Sequence, residues 1–93
     1  MVVKSVILDI YLPTTNSLKS KRNIIKGISK RVKDKFNVSI AEISYLDQWQ
    51  RAGLGIAIVA NEGKYLQKQL DAVMRFIENN YPDIEILHIQ DFV

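Results

Sequence analysis

Residues 38–60, VSIAEISYLDQWQRAGLGIAIVA, decide the fold. The two ends of this stretch, 38–45 and 51–60, are rich in β-branched and apolar residues, which predicts two strands. Only about five residues lie between them, so the strands are expected to pair as an antiparallel hairpin.

The connection between these strands contains residue types that a turn alone does not require. Turns favour Gly, Asn, Asp or Pro, whereas this one holds Trp49, the single tryptophan of the chain. Such a tryptophan either packs back over the core or is exposed for contact with a partner. The sequence does not decide between these two possibilities. The neighbouring amides and guanidinium are suited to nucleobase edges and peptide groups, which favours a partner. The candidate partner-contact residues are Asp47, Gln48, Trp49, Gln50 and Arg51.

The segment before the hairpin reads as a strand followed by a helix. Residues 2–12 alternate in polarity with period two, which is typical of a strand. Residues 18–36 place apolar side chains along one stripe, which indicates an amphipathic helix. Asn16 or Ser17 is expected to cap its first turn, and Asn37 is expected to end it in a left-handed conformation.

The segment after the hairpin repeats the pattern. Asn61 is expected to cap a second amphipathic helix that ends near residue 80, and residues 84–93 read as a final strand. The order β-α-β-β-α-β within 93 residues predicts a single α+β domain, residues 1–93, with the ferredoxin-like fold. Right-handed crossovers would place both helices on one face of a four-stranded antiparallel sheet.

The helix-free face of that sheet is expected to be apolar, because the strand at 51–60 is apolar on both sides. A sheet face that meets water should alternate with polar residues. An uncovered apolar face on a small protein usually meets another subunit, which predicts a homo-oligomer; loops covering the patch of a monomer are the alternative. The strand lacks the aromatic residues of an RRM sheet, so that mode of RNA stacking is excluded. The two sets are Leu54, Ile56 and Ile58 on one side and Gly53, Gly55, Ala57 and Val59 on the other.

Basic residues are concentrated in the first helix. Residues 19–35 carry eight Lys or Arg against Asp34 alone, a net charge of +7 in a chain whose total is +3. Their spacing of three and four aligns five of them along about 20 Å of one helix face, and acidic residues at i±4 are missing from that face. Such a row could contact RNA phosphates or an acidic protein; a solvated helix face is the alternative. The candidate phosphate-binding residues are Lys19, Lys21, Arg22, Lys26, Lys30 and Lys33.

Composition limits the cellular locations and the kinds of function that we expect for this protein. The chain has no cysteine, which suits a reducing compartment, and no apolar run approaches the ~20 residues that span a bilayer. We therefore expect a cytoplasmic protein without a membrane partner. His88 is the single histidine, and it stands on an apolar strand where packing is commoner than catalysis. No spacing typical of catalytic residues, a metal site or a cofactor site is found.

Two motifs together carry a family resemblance. Residues 17–22, Ser-Leu-Lys-Ser-Lys-Arg, open the first helix, and residues 47–52, Asp-Gln-Trp-Gln-Arg-Ala, form the hairpin connection. With residues 36–42 between them, the chain resembles the YlxP-like family of small bacterial proteins of unknown function. The resemblance implies a ferredoxin-like fold, suggests a role at the ribosome and supplies no catalytic residues. It singles out Lys19, Lys21 and Arg22 together with Asp47, Trp49, Gln50 and Arg51.

The sequence thus predicts a non-enzymatic RNA- or ribosome-associated domain that uses its basic helix and its tryptophan hairpin. The alternative is a protein-interaction or oligomerisation module without nucleic-acid binding.

Overall fold

The computed structural model describes residues 1–92 and has the predicted order of elements. The six elements are β1 (Val2–Tyr11), α1 (Leu18–Lys35), β2 (Val38–Ser44), β3 (Arg51–Ala60), α2 (Gly63–Asn80) and β4 (Glu85–Asp91). The strands form one antiparallel sheet in the order β2-β3-β1-β4, so β2 and β4 are its edges. Both helices pack on the same face, which confirms the ferredoxin-like α+β prediction.

The core lies between the helices and one face of the sheet. Alternate residues of β1 are buried because period two sends every second side chain to the helix side. On β3 the helix-facing set is Leu54, Ile56 and Ile58, all buried, which settles which of its two apolar sides meets the helices. The apolar stripes of α1 and α2 close the core with Ile25, Ile28, Val32, Leu66, Leu70, Val73 and Ile77.

The helix ends differ in part from prediction. Ser17 caps α1, and its Oγ accepts a hydrogen bond from the Ser20 amide at 3.0 Å. The expected left-handed residue at Asn37 is wrong, because the chain leaves α1 through Phe36 in an extended conformation (φ −124°, ψ 149°) and enters β2 directly. Phe36 packs edge-on against Phe76 of α2 at 5.7 Å, which anchors this exit.

The start of α2 and the limits of β4 also need correction. Glu62, and not Asn61, occupies the N-cap position of α2, and it makes no capping hydrogen bond through its side chain. The last strand ends at Asp91, whereas the sequence extended it to Val93, which lies outside the described residues. Within residues 1–92, neither helix is both long and apolar enough to cross a membrane.

A β-bulge in β2 places the side chain of Ile43 over β3. The pairing register shifts between Glu42 and Ser44, and the side chain of Ile43 then lies across Gly55. A Cβ on Gly55 would stand 2.6 Å from Ile43 Cγ1, far inside van der Waals contact. Gly55 is therefore required by this close approach, and not by backbone conformation.

Candidate nucleic-acid interface

Lys21 is the most deeply buried charged residue that the structure describes, with 0% of its side chain exposed. Its ammonium donates to Glu42 Oε2 at 2.7 Å and to the backbone carbonyl of Tyr45 at 2.8 Å. It also lies 3.3 Å from the carbonyls of Leu46 and Arg51. These acceptors belong to the end of β2, the connection and the start of β3, so Lys21 joins the first turn of α1 to the whole hairpin.

The structure corrects the prediction that Lys21 contacts phosphate. An ammonium has three protons to donate, and all its neighbours here are acceptors of the same chain. A buried charge is tolerated only when it is paired and hydrogen-bonded, so this group serves the fold. The sequence held a signal that was missed: Lys21 follows Leu18 by three and precedes Ile25 by four, which places it on the apolar stripe.

The tryptophan connection is also tied to the loop between β1 and α1. Thr15 Oγ1 lies within hydrogen-bond distance of the carbonyls of both Leu12 and Trp49, to which its single proton can be donated. The Leu12 amide donates to the Gln50 carbonyl at 2.8 Å. Gln50 Nε2 lies within 3.3 Å of the carbonyls of Pro13 and Thr15. The amide group of Gln50 thus contacts its own chain, and the buried Thr15, which sequence reasoning passed over, organises the loop.

Trp49 projects outward from this fixed backbone. Its side chain is 55% exposed, and the neighbouring Leu46 is 52% exposed, so the indole does not staple the core. Asp47, Gln48, Trp49 and Gln50 line a shallow depression of about 380 Å³. A large aromatic group held out by a fixed backbone is suited to stacking or to a protein contact.

Arg51 lies apart from the indole, on the helix-free face of the sheet. Its Nε and Nη2 reach the two carboxylate oxygens of Asp9 at 3.1 and 2.6 Å, and its guanidinium lies 4.6 Å from the ring centre of Tyr45. The hydrogen bonds to Asp9 raise the pKa of Arg51 above its ordinary value, although partial desolvation acts in the opposite direction. The predicted partner-contact set is therefore divided between the connection and this ion pair.

A groove runs between α1 and the edge strand β2. It has a volume of about 580 Å³, and Ile25 and Ile40 are among the side chains that line it. Four of the predicted phosphate contacts line this groove, namely Arg22, Lys26, Lys30 and Lys33. Lys19 stands on the same helix nearer the hairpin and is exposed. We call these five residues the basic line.

The basic line has little internal charge compensation. The expectation that this face lacks acidic residues at i±4 is wrong at one position, because Lys30 pairs with Asp34, four residues later, at 3.1 Å. Both side chains are largely exposed. Within the described chain, no carboxylate oxygen lies within 4.0 Å of the other four members. By contrast, Arg31 of the same helix donates to Asn80 Oδ1 at 2.8 Å and lies over the rings of Phe76 and Tyr81. The cations of α1 thus divide into those used by the fold and those left facing solvent.

The hairpin and the basic line are adjacent, because Lys21 lies on α1 between Lys19 and Arg22 and binds the hairpin. The carbonyls that it binds belong to the residues flanking Trp49, so the line begins beside the hairpin. At ~1.5 Å per residue, it extends about 20 Å from there along α1. The sequence could not place these two features relative to each other.

Other reactive groups are scattered. His88 lies opposite Asp9 in the β1–β4 register, on the side of the sheet away from the helices. Among residues 1–92, no three His, Asp or Glu side chains are grouped so as to hold a metal ion.

Substitution Lys21→Met tests the role of the buried ammonium. Removing it leaves Glu42 and three carbonyls without their donor, and breaking a buried ion pair from one side costs ~3–5 kcal/mol. We expect the free energy of unfolding, from urea titration followed by circular dichroism, to fall by about that amount. The fluorescence of Trp49 in the folded state should also change, because the hairpin loses its anchor.

The control for this measurement is Lys19→Met, two residues away on the same helix but exposed. It should change the free energy of unfolding by no more than ~0.5 kcal/mol, as is usual for surface positions. Equal effects of the two variants would contradict the role assigned to Lys21.

Comparison with known proteins agrees with the two motifs. The family model described as "Protein of unknown function (DUF503)" matches residues 3–91. A relative from Bacillus subtilis (strain 168), described as "Uncharacterized protein YlxP", is 49% identical over 69 residues, which make up 74% of each chain. The family model, the relative and the two sequence motifs agree, and the chain therefore belongs to the YlxP-like DUF503 family.

Proposed function

We propose that this protein is a non-enzymatic factor that binds single-stranded RNA, free or as part of the ribosome. The observation that carries the proposal is the basic line: four of its five cations line one groove, and all but Lys30 have no carboxylate oxygen within 4.0 Å in the described chain. Phosphates run along the groove in this account, and a base stacks on the tryptophan at its end.

The electrostatic support comes from the spacing of the cations. Like charges at i and i+4 repel by a few tenths of a kcal/mol per pair, so Arg22, Lys26 and Lys30 destabilise the isolated helix. A polyanion relieves that repulsion when it binds, and it also releases its own counterions.

The aromatic support comes from the hairpin. Stacking of a base on an aromatic side chain contributes ~1–3 kcal/mol and tolerates any base. Trp49 is exposed while its backbone is bonded to Thr15, so little conformational entropy is lost when a ligand arrives. Single strands are favoured over duplexes because their bases are free to stack.

Charge reversal of the basic line tests the phosphate contacts. If four phosphates are neutralised, the affinity for single-stranded RNA should fall with salt with a log–log slope of about −3, at ~0.7 per phosphate. In the triple variant Arg22→Glu, Lys26→Glu and Lys30→Glu, affinity should drop strongly and the slope should approach about −1. Fluorescence anisotropy of a labelled oligonucleotide measures both quantities.

A matched control keeps the same change of net charge on the other helix. Lys64→Glu, Lys68→Glu and Arg75→Glu alter three exposed cations of α2, and this variant should retain most of its affinity. A wild-type slope near zero, or equal losses in the two triple variants, would rule out phosphate binding by the basic line.

The alternative function, a protein-interaction module, is supported by the exposed Leu46 and Trp49 on a bonded hairpin. Rigid aromatic and aliphatic anchors of this kind form the centres of protein interfaces. An acidic protein segment could occupy the same groove. The two functions differ in what each hairpin side chain contributes to RNA affinity.

The substitution Trp49→Ala distinguishes RNA binding from the protein-interaction function. If a base stacks on the indole, loss of ~1–3 kcal/mol should weaken RNA binding about 5- to 150-fold. Leu46→Ala removes a neighbouring side chain of similar exposure that has no aromatic face, so its affinity for RNA should hardly change. Unchanged RNA affinity in Trp49→Ala would contradict base stacking and favour the protein-interaction module.

A further inference from the structure

The helix-free face of the sheet is an interaction surface, and we propose that a second copy of this chain packs against it, sheet face to sheet face. This inference is independent of RNA binding, since it uses the opposite side of the molecule from the helices. We call this surface the open face.

The open face is apolar across its centre. The pairing register aligns Val3 with Val59, and Ala57 with Ser5 and Ser39. Ile43 and Val59 are each 53% exposed, although antiparallel sheets that face water normally alternate with polar side chains. The apolar members are Val3, Ile7, Ala41, Ile43, Ala57, Val59 and Phe92.

The charges of the open face favour a copy of itself as the partner. Asp9 and Arg51 neutralise each other through two hydrogen bonds. Glu85 and His88 lie at the β4 margin of the face. The phenols of Tyr11 and Tyr45, beside Arg51, carry no charge at neutral pH. Two such faces can therefore meet without net repulsion. The strongly basic surface of α1 lies on the other side of the sheet and would point away from the contact.

The edges of the sheet are poor sites for the same association. Both edge pairings carry a register shift, between Glu42 and Ser44 on one edge and between Asp9 and Ile10 on the other. Bulges of this kind disfavour continuation of a sheet into a neighbouring molecule. Pairing through β2 would also bring two basic lines together, so a copy is directed to the face and not to an edge.

The area is adequate for a stable dimer. Strands β1 to β4 have ten, seven, ten and seven residues. At ~3.3 Å per residue and a spacing of ~4.8 Å they give a projected area of about 540 Å². Side-chain relief raises the accessible area towards the ~800 Å² per partner of a standard interface. Two sheets that pack in this way would stand ~10 Å apart, with their apolar side chains interdigitated.

Ala57→Glu tests the proposal, because Ala57 is exposed and lies between two neighbouring strands at the middle of the face. Sedimentation equilibrium at micromolar concentration should give wild type twice the 10.7 kDa mass of one chain. A charge buried at the contact should weaken association by more than about 100-fold and give a monomer. Ala57→Lys should do the same, because the effect comes from burying a charge of either sign.

Two further measurements keep the test decisive. Circular dichroism should show that both variants fold, since position 57 faces away from the core. Asn79→Glu adds a charge on the exposed surface of α2 and should remain a dimer. A monomeric wild type, or a dimer that survives both Ala57 substitutions, would overturn the proposal.

Discussion

The structure depends on one interaction, the contact of the Lys21 ammonium with Glu42 and the carbonyls of the hairpin. Removing a charged amine from water is costly, and only close pairing with full use of its protons offsets that cost. The contact is made where Tyr45 adopts the left-handed conformation (φ 60°), the one such non-glycine residue in the described chain. The first turn of α1, the end of β2 and the hairpin connection all meet at the Lys21 Nζ atom. The position of each is therefore fixed by the others.

This contact also explains how a small domain can hold an exposed aromatic side chain in place. The backbone of the connection is bonded to α1 through Lys21 and to the β1–α1 loop through Thr15 and Gln50. Neither set of bonds involves the indole, which is left to solvent or to a ligand. The cations of α1 that do not serve the fold start next to Lys21, so the basic line begins near the hairpin that holds the exposed indole.

Much of the fold could be predicted from the sequence, because apolar residues recur with period two in strands and with three-and-four spacing in helices. Less could be predicted where a side chain acts at long range. Lys21 lies among other lysines and arginines of α1, so residue type does not distinguish it. Only its position on the apolar stripe indicates that it is buried. Thr15 bonds Trp49 across 34 positions, and no local pattern encodes that contact. The prediction for Asn37 was wrong because the chain leaves α1 in an extended conformation and enters β2 directly. The prediction for Asn61 was wrong because Glu62 takes the N-cap position of α2.

Chemical modification of the folded protein shows whether the Lys21 ammonium is buried. Reductive methylation followed by mass spectrometry reports how freely each lysine amine meets reagent. We expect Lys19 and Lys26 to react readily, while Lys21 stays unmodified until denaturant unfolds the chain. If Lys21 in the folded protein reacts as fast as Lys19, its ammonium is not buried among the hairpin carbonyls and the account is wrong.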